Sequence, residues 1–116
     1  MTYEAMLRKI NTAGTWFTGV FMGEILSKYP EIHGDTALTT AFIQQMHRDY
    51  GEALEYTYDS TKTKCYAVMS IIEGGRVIDA IDHVLQSNEK KVPEEARENA
   101  NELLNAIISG KVVLPE

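Results

Sequence analysis

The stretch WFTGVFMGEIL, residues 16–26, carries apolar residues at helical spacing. It lies within a longer segment, residues 2–29, in which apolar residues recur at steps of three and four, the spacing of one helix face. Thr2 is a suitable N-cap for this segment, and Pro30 predicts its end because the residue before a proline disfavours helical backbone. Gly14 lowers helix propensity, so a break there, giving two helices, is the alternative.

The rest of the chain has the same periodicity. Further helices are predicted at residues 35–50, 77–85 and 93–108, with Asp35 as an N-cap and Pro93 at a first helical position. The 116 residues fit one domain, residues 1–116. The sequence therefore predicts an all-α fold, a compact helical bundle of four to six helices, with an apolar tail that docks on the core or adds an edge strand.

Residues 52–73 fit two interpretations. Apolar residues keep helical phase through this stretch, which favours a helix. Yet residues 54–58 and 65–69 are rich in strand formers and flank a polar, turn-like run. The alternative fold is therefore α+β, with one β-hairpin around residues 54–69.

The charge of the chain restricts its partners. The formal net charge is −6, and no run of lysine or arginine exceeds two residues. Such a surface repels nucleic-acid phosphates and anionic membranes, so nucleic-acid binding is not expected. The same charge suits a basic protein surface.

Cysteine usage and apolar runs indicate the compartment. Cys65 is the single cysteine, which excludes an intramolecular disulfide and fits a reducing environment. No apolar run is long enough to span a membrane, and the N-terminal residues lack the apolar core of a signal peptide. We expect a cytoplasmic protein whose thiol is a small buried hydrophobic group.

Two pairs of carboxylates are spaced three residues apart, Glu52 with Glu55 and Asp79 with Asp82. On helices each pair would share a face, and carboxylate oxygens are ligands that Mg²⁺ prefers. The spacing is similar to that of the all-helical nucleotide pyrophosphohydrolases, the MazG-like and dimeric dUTPase group, whose pattern is Glu-x-x-Glu, a spacer, then Glu-x-x-Asp. Asp79 stands where that group has glutamate. The resemblance implies a Mg²⁺-dependent hydrolase in which these four residues hold the metal.

A second candidate surface lies in the first segment. Gly19 and Gly23 are four residues apart, which permits close approach of another helix, within the bundle or across a homodimer. Large apolar residues around them occupy more than one helix face. If one side of this helix is exposed, some of them lie at the surface, where a partner would cover them, and the alternative is a fully buried central helix. The candidate partner-binding residues here are Trp16, Phe17, Phe21 and Met22.

A third candidate surface is acidic. Glu95, Glu98 and Glu102 form a stripe along the last predicted helix, which is either a solvated face or a docking face for a basic partner. No nucleophile elbow, phosphate-binding loop or dinucleotide motif is present. We therefore expect a non-enzymatic, self-associating interaction or regulatory protein, such as an inhibitor, that uses helix faces and no cofactor. The alternative is the Mg²⁺-dependent hydrolase.

Overall fold

The computed structural model describes residues 1–87 and 94–115, and within these ranges the chain forms six α-helices and no strand. The helices are α1 (Tyr3–Ala13), α2 (Thr15–Ile32), α3 (Thr36–Met46), α4 (Tyr58–Glu73), α5 (Val77–Gln86) and α6 (Glu94–Ile108), with a π-helical turn, His47–Gly51, after α3. The predicted all-α bundle of four to six helices is confirmed. In these two ranges no helix has the length and apolar character needed to cross a membrane.

Gly14 separates α1 from α2, as the sequence suggested. Its φ of 90° lies in the left-handed region that glycine adopts without strain. The side chain of Lys64 closes the end of α1, since its Nζ donates a 2.9 Å hydrogen bond to the carbonyl of Ala13. The same ammonium lies 5.0 Å from the centre of the Tyr56 ring, and its burial lowers the pKa of Lys64. The break is therefore held by a contact from α4 as well as by glycine.

The predicted end of the first segment at residue 29 is wrong, because α2 continues through Pro30 to Ile32. Tyr29 is 5% exposed and Ile32 is 4% exposed. Burial of these two side chains offsets the preference of a residue before proline for extended backbone. The N–H of His33 then donates to the carbonyl of Tyr29 and ends the helix.

The alternative hairpin around residues 54–69 is wrong. Residues 52–57 form a turn and an extended entry, and α4 occupies the remainder. Thr57 caps α4, because its Oγ1 accepts a 3.0 Å hydrogen bond from the N–H of Ser60. Four residues spaced by three or four face the core: Thr61, Cys65, Val68 and Ile72. Capping and the buried stripe together outweigh the strand propensity of the tyrosines and threonines.

In the described parts of the chain, α2 is the central helix and packs against every other α-helix. Gly19 lets α6 approach closely, because a Cβ added there would lie 2.9 Å from the carbonyl oxygen of Ala96. One turn later, a Cβ at Gly23 would lie 3.8 Å from the side chain of Leu103, also on α6. The predicted tight packing of this glycine pair is therefore found inside the bundle.

The C-terminal tail docks on the core, one of the two outcomes expected for it. Val112 and Leu114 are half-buried and pack against the central cluster. Gly110, with φ of 78°, follows the end of α6. The predicted first helical residue, Pro93, and the last residue, Glu116, lie outside the described residues.

Candidate functional site

The structure does not bring the four predicted metal ligands together. Glu52 and Glu55 lie in the turn before α4, where they are exposed and do not share a helix face. Asp79 accepts a 2.7 Å bond from Arg76, and Asp82 accepts from Gln86 one turn along α5. Among residues 1–87 and 94–115, no three histidine, cysteine, aspartate or glutamate side chains form a group that could hold a metal ion.

The expectation of an exposed apolar surface on α2 is wrong for three of its four residues. Phe17 is 3% exposed, Phe21 is 4% exposed and Met22 is 1% exposed. The fourth, Trp16, is half-buried and packs edge-on against Phe21, with ring centroids 5.9 Å apart. Because other helices surround α2, apolar side chains on several of its faces are buried. Their spacing therefore indicates core packing and not an exposed interface.

The acidic stripe on α6 is at the surface. Glu95, Glu98 and Glu102 are all exposed, together with Glu94. Among the described lysines and arginines, none forms an ion pair with these carboxylates. The stripe therefore presents negative charge to solvent along the outer face of α6.

A groove of about 420 Å³ between α2 and α6 continues this acidic surface. Its lining includes four apolar residues and two exposed glutamates, Glu102 from α6 and Glu24 from α2. Asn99 also lines the groove and joins α6 to α2, since its Nδ2 donates a 3.3 Å hydrogen bond to the carbonyl of Val20. The apolar lining is formed by Val20, Gly23, Leu103 and Ala106.

Glu24 is a residue that sequence reasoning missed. It lies in the strongly apolar first segment, and only the packing of α2 on α6 brings it to the same groove as Glu102. Tyr50, from the turn after α3, contributes a weak 3.5 Å hydrogen bond to Glu24 Oε1. The Glu24 carboxylate, followed by burial, raises the pKa of Tyr50. The absence of a side chain at Gly23 is the one sequence signal for open space beside Glu24.

A second groove of similar size, about 410 Å³, lies between α1 and α4. Lys9 and Lys62 line it together with Asp59, so its charge is mixed. It therefore lacks the single sign of charge seen between α2 and α6, and it provides an internal comparison for ligand binding.

Cys65 belongs to the core, as expected, and is fully buried. Burial, followed by the charge of Glu24, raises the pKa of Cys65 from 9.0 to about 12. Because the thiolate is the reactive form, this thiol is protected from modification in the folded protein.

We expect the free energy of unfolding to fall as the pH rises above 9.0. The unfolded thiol loses its proton near pH 9.0, whereas the folded thiol keeps it until pH is about 12. This contribution to stability is therefore fully present below pH 9.0 and is lost as pH rises towards the folded pKa, by up to about 1.4 kcal/mol per pH unit. Urea titrations of the wild type and of Cys65→Ala measure it. The variant should have the shallower pH dependence, and equal dependence would contradict the assignment.

No protein-family model, curated protein or solved structure matches this chain. The spacing similarity to the all-helical nucleotide pyrophosphohydrolases therefore stays a prediction from four residues.

Proposed function

We propose that this chain is a non-enzymatic interaction or regulatory protein that binds a basic segment of a partner protein on its α2–α6 face. The observation that carries the proposal is the groove in which two carboxylates, Glu24 and Glu102, stand beside an apolar lining. The exposed stripe of Glu95 and Glu98 extends the same negative surface along α6.

This combination fits lysine and arginine side chains. Both have an apolar stem and a charged head, so a stem lies on apolar lining while the head reaches a carboxylate at the edge. Arginine adds planar, bidentate hydrogen bonding to a carboxylate. The net charge of −6 would also steer a basic partner towards this protein and speed its association.

Self-association, the other part of the sequence-based hypothesis, stays a prediction. Since Phe17, Phe21 and Met22 lie in the core, a second copy would have to cover other apolar side chains. Among the described residues, Ile108 at 74% and Val113 at 84% are the large apolar side chains with the greatest exposure. Sedimentation velocity of the chain alone measures its oligomeric state.

The test is a titration with a lysine- and arginine-rich helical peptide. We expect the double variant Glu24→Gln/Glu102→Gln to bind about tenfold more weakly than the wild type, because it loses two partly desolvated ion pairs. Binding should also weaken as salt is raised, since exposed charges are screened. Calorimetry at two ionic strengths measures both effects.

The matched control is Glu52→Gln/Glu55→Gln, which changes the net charge by the same amount at exposed positions outside the groove. We expect this control to bind within about twofold of the wild type. Equal losses in the two double variants would mean that the peptide responds to net charge alone, and the proposed site would then be wrong.

A further inference from the structure

A separate groove of about 320 Å³ lies where α4 passes the corner between α2 and α3. Its walls carry two tyrosine rings, Tyr29 from α2 and Tyr66 from α4. Two residues with carboxylates line it, Asp35 at the start of α3 and Glu73 at the end of α4. Among the described residues, no lysine or arginine lines it, which distinguishes it from the α1–α4 groove.

Tyr29 contributes both an aromatic ring and a hydroxyl group to this groove. The residue is 5% exposed, yet its hydroxyl forms no hydrogen bond with any residue in the described ranges. Its ring stacks on His33, with centroids 4.8 Å apart and an interplanar angle of 26°, which fixes its orientation. Burial, followed by the charge of Glu73, raises the pKa of Tyr29, so the phenol stays protonated at neutral pH. The hydroxyl oxygen is not fully buried, so water or a ligand in the groove can reach it and supply a hydrogen bond.

We propose that this groove binds a small organic cation, an alkylammonium or alkylguanidinium group. Its charged head would lie between the carboxylates of Asp35 and Glu73, and the Tyr29 hydroxyl oxygen would accept one of its hydrogen bonds. The ring faces of Tyr29 and Tyr66 favour a cation over a neutral group of the same shape. Within the described part of the chain, Asp35 accepts a hydrogen bond at Oδ1 alone, from the N–H of Leu38, so its Oδ2 can accept one from a ligand.

The size of the groove suits a ligand of this kind. Small-molecule sites begin at about 300 Å³, and they combine apolar walls with a few converging polar groups. Met69 and the two tyrosine rings supply the apolar part. A free amine and a lysine or arginine side chain of a peptide share this chemistry, so the experiment includes both sources.

The test is an NMR titration of the ¹⁵N-labelled protein with n-butylammonium and n-butylguanidinium. Butanol and butyrate serve as neutral and anionic controls of the same chain length. We expect saturable shifts at Tyr29, His33, Tyr66 and Glu73 with the cations and none with the controls. A lysine-containing pentapeptide blocked at both ends forms the second arm, and tighter binding than n-butylammonium would assign the site to a peptide side chain.

Two conservative variants locate the site. Glu73→Gln removes one charge from an exposed side chain and should weaken cation binding about fivefold. Tyr29→Phe keeps the stacked ring, removes only the hydroxyl, and should weaken binding about threefold. Glu52→Gln, outside the groove, should bind like the wild type, and melting temperatures confirm that each variant is folded.

Several results would overturn the proposal: equal binding of butanol, shifts confined to other surfaces, or wild-type affinity in both variants. The α2–α6 face is tested independently, because Glu24→Gln/Glu102→Gln leaves this groove intact and should bind the small cations like the wild type. Loss of cation binding in that double variant would assign the cations to the acidic face instead.

Discussion

Replacing Gly19 with alanine is expected to destabilise the fold by about 1–2 kcal/mol, although the same change usually stabilises a helix. The added methyl would lie 2.9 Å from the carbonyl oxygen of Ala96 and 2.9 Å from Cγ1 of Val84. The carbonyl belongs to the backbone of α6, so relief of this contact requires α6 to move away from the central helix. Urea titration of the variant measures the loss, which corresponds to a fall of about 4–8 °C in melting temperature.

Gly23→Ala is the matched control on the same helix. A methyl there would meet the side chain of Leu103 at 3.8 and 3.9 Å, which is ordinary van der Waals contact. This variant is therefore expected to gain up to about 1 kcal/mol through lower chain entropy in the unfolded state. The opposite signs at two positions one turn apart test the packing of α2 on α6, and destabilisation of similar size at both would show that this interface is misplaced.

A larger effect is expected from truncation of the core at Ile25. Its side chain is fully buried in α2, at the centre of the bundle. Ile25→Ala removes three carbons and leaves a cavity, which should cost about 2–5 kcal/mol of the free energy of unfolding. Since domains of this size are stable by only about 5–15 kcal/mol, the milder Ile25→Val, costing about 0.5–1.5 kcal/mol, keeps the measurement possible if the alanine variant does not fold.

Ile78→Ala provides the comparison. Ile78 lies on α5 with 47% of its surface exposed, so the same chemical change should stay within about 0.5 kcal/mol of the wild type. Equal losses at Ile25 and Ile78 in chemical denaturation would contradict the placement of α2 as the central helix.

Local sequence rules predicted the helices well where a cap and a buried stripe agree. The predicted caps Thr2 and Asp35 each cap a helix in the structure, and the break that low helix propensity allowed at Gly14 separates α1 from α2. The helix end predicted at residue 29 from Pro30 was wrong, because burial of Ile32, a tertiary effect, outweighs a local backbone preference. The hairpin alternative failed for the same reason, since strand propensity depends on packing.

The candidate sites were harder to predict because a site depends on where helices meet. Phe21 and its aromatic neighbour Phe17 have the composition of an interface, but helices surround α2 on several faces and bury both side chains. The exposed acidic face of α6 could be predicted, since its glutamates share one helix stripe. Glu24 could not, because its proximity to Glu102 arises only when α2 and α6 pack. The position of the Tyr29 hydroxyl in the groove beside α4 likewise has no signal in the sequence.

The central claim is that a basic partner binds in the α2–α6 groove, and chemical-shift mapping tests it most directly. The ¹⁵N-labelled protein is titrated with the lysine- and arginine-rich peptide, and the perturbed amides are placed on the structure. We expect the largest shifts at residues 20–24 and 99–106, on the two walls of the groove. Shifts centred on the α1–α4 groove, or spread evenly over all exposed carboxylates, would contradict it.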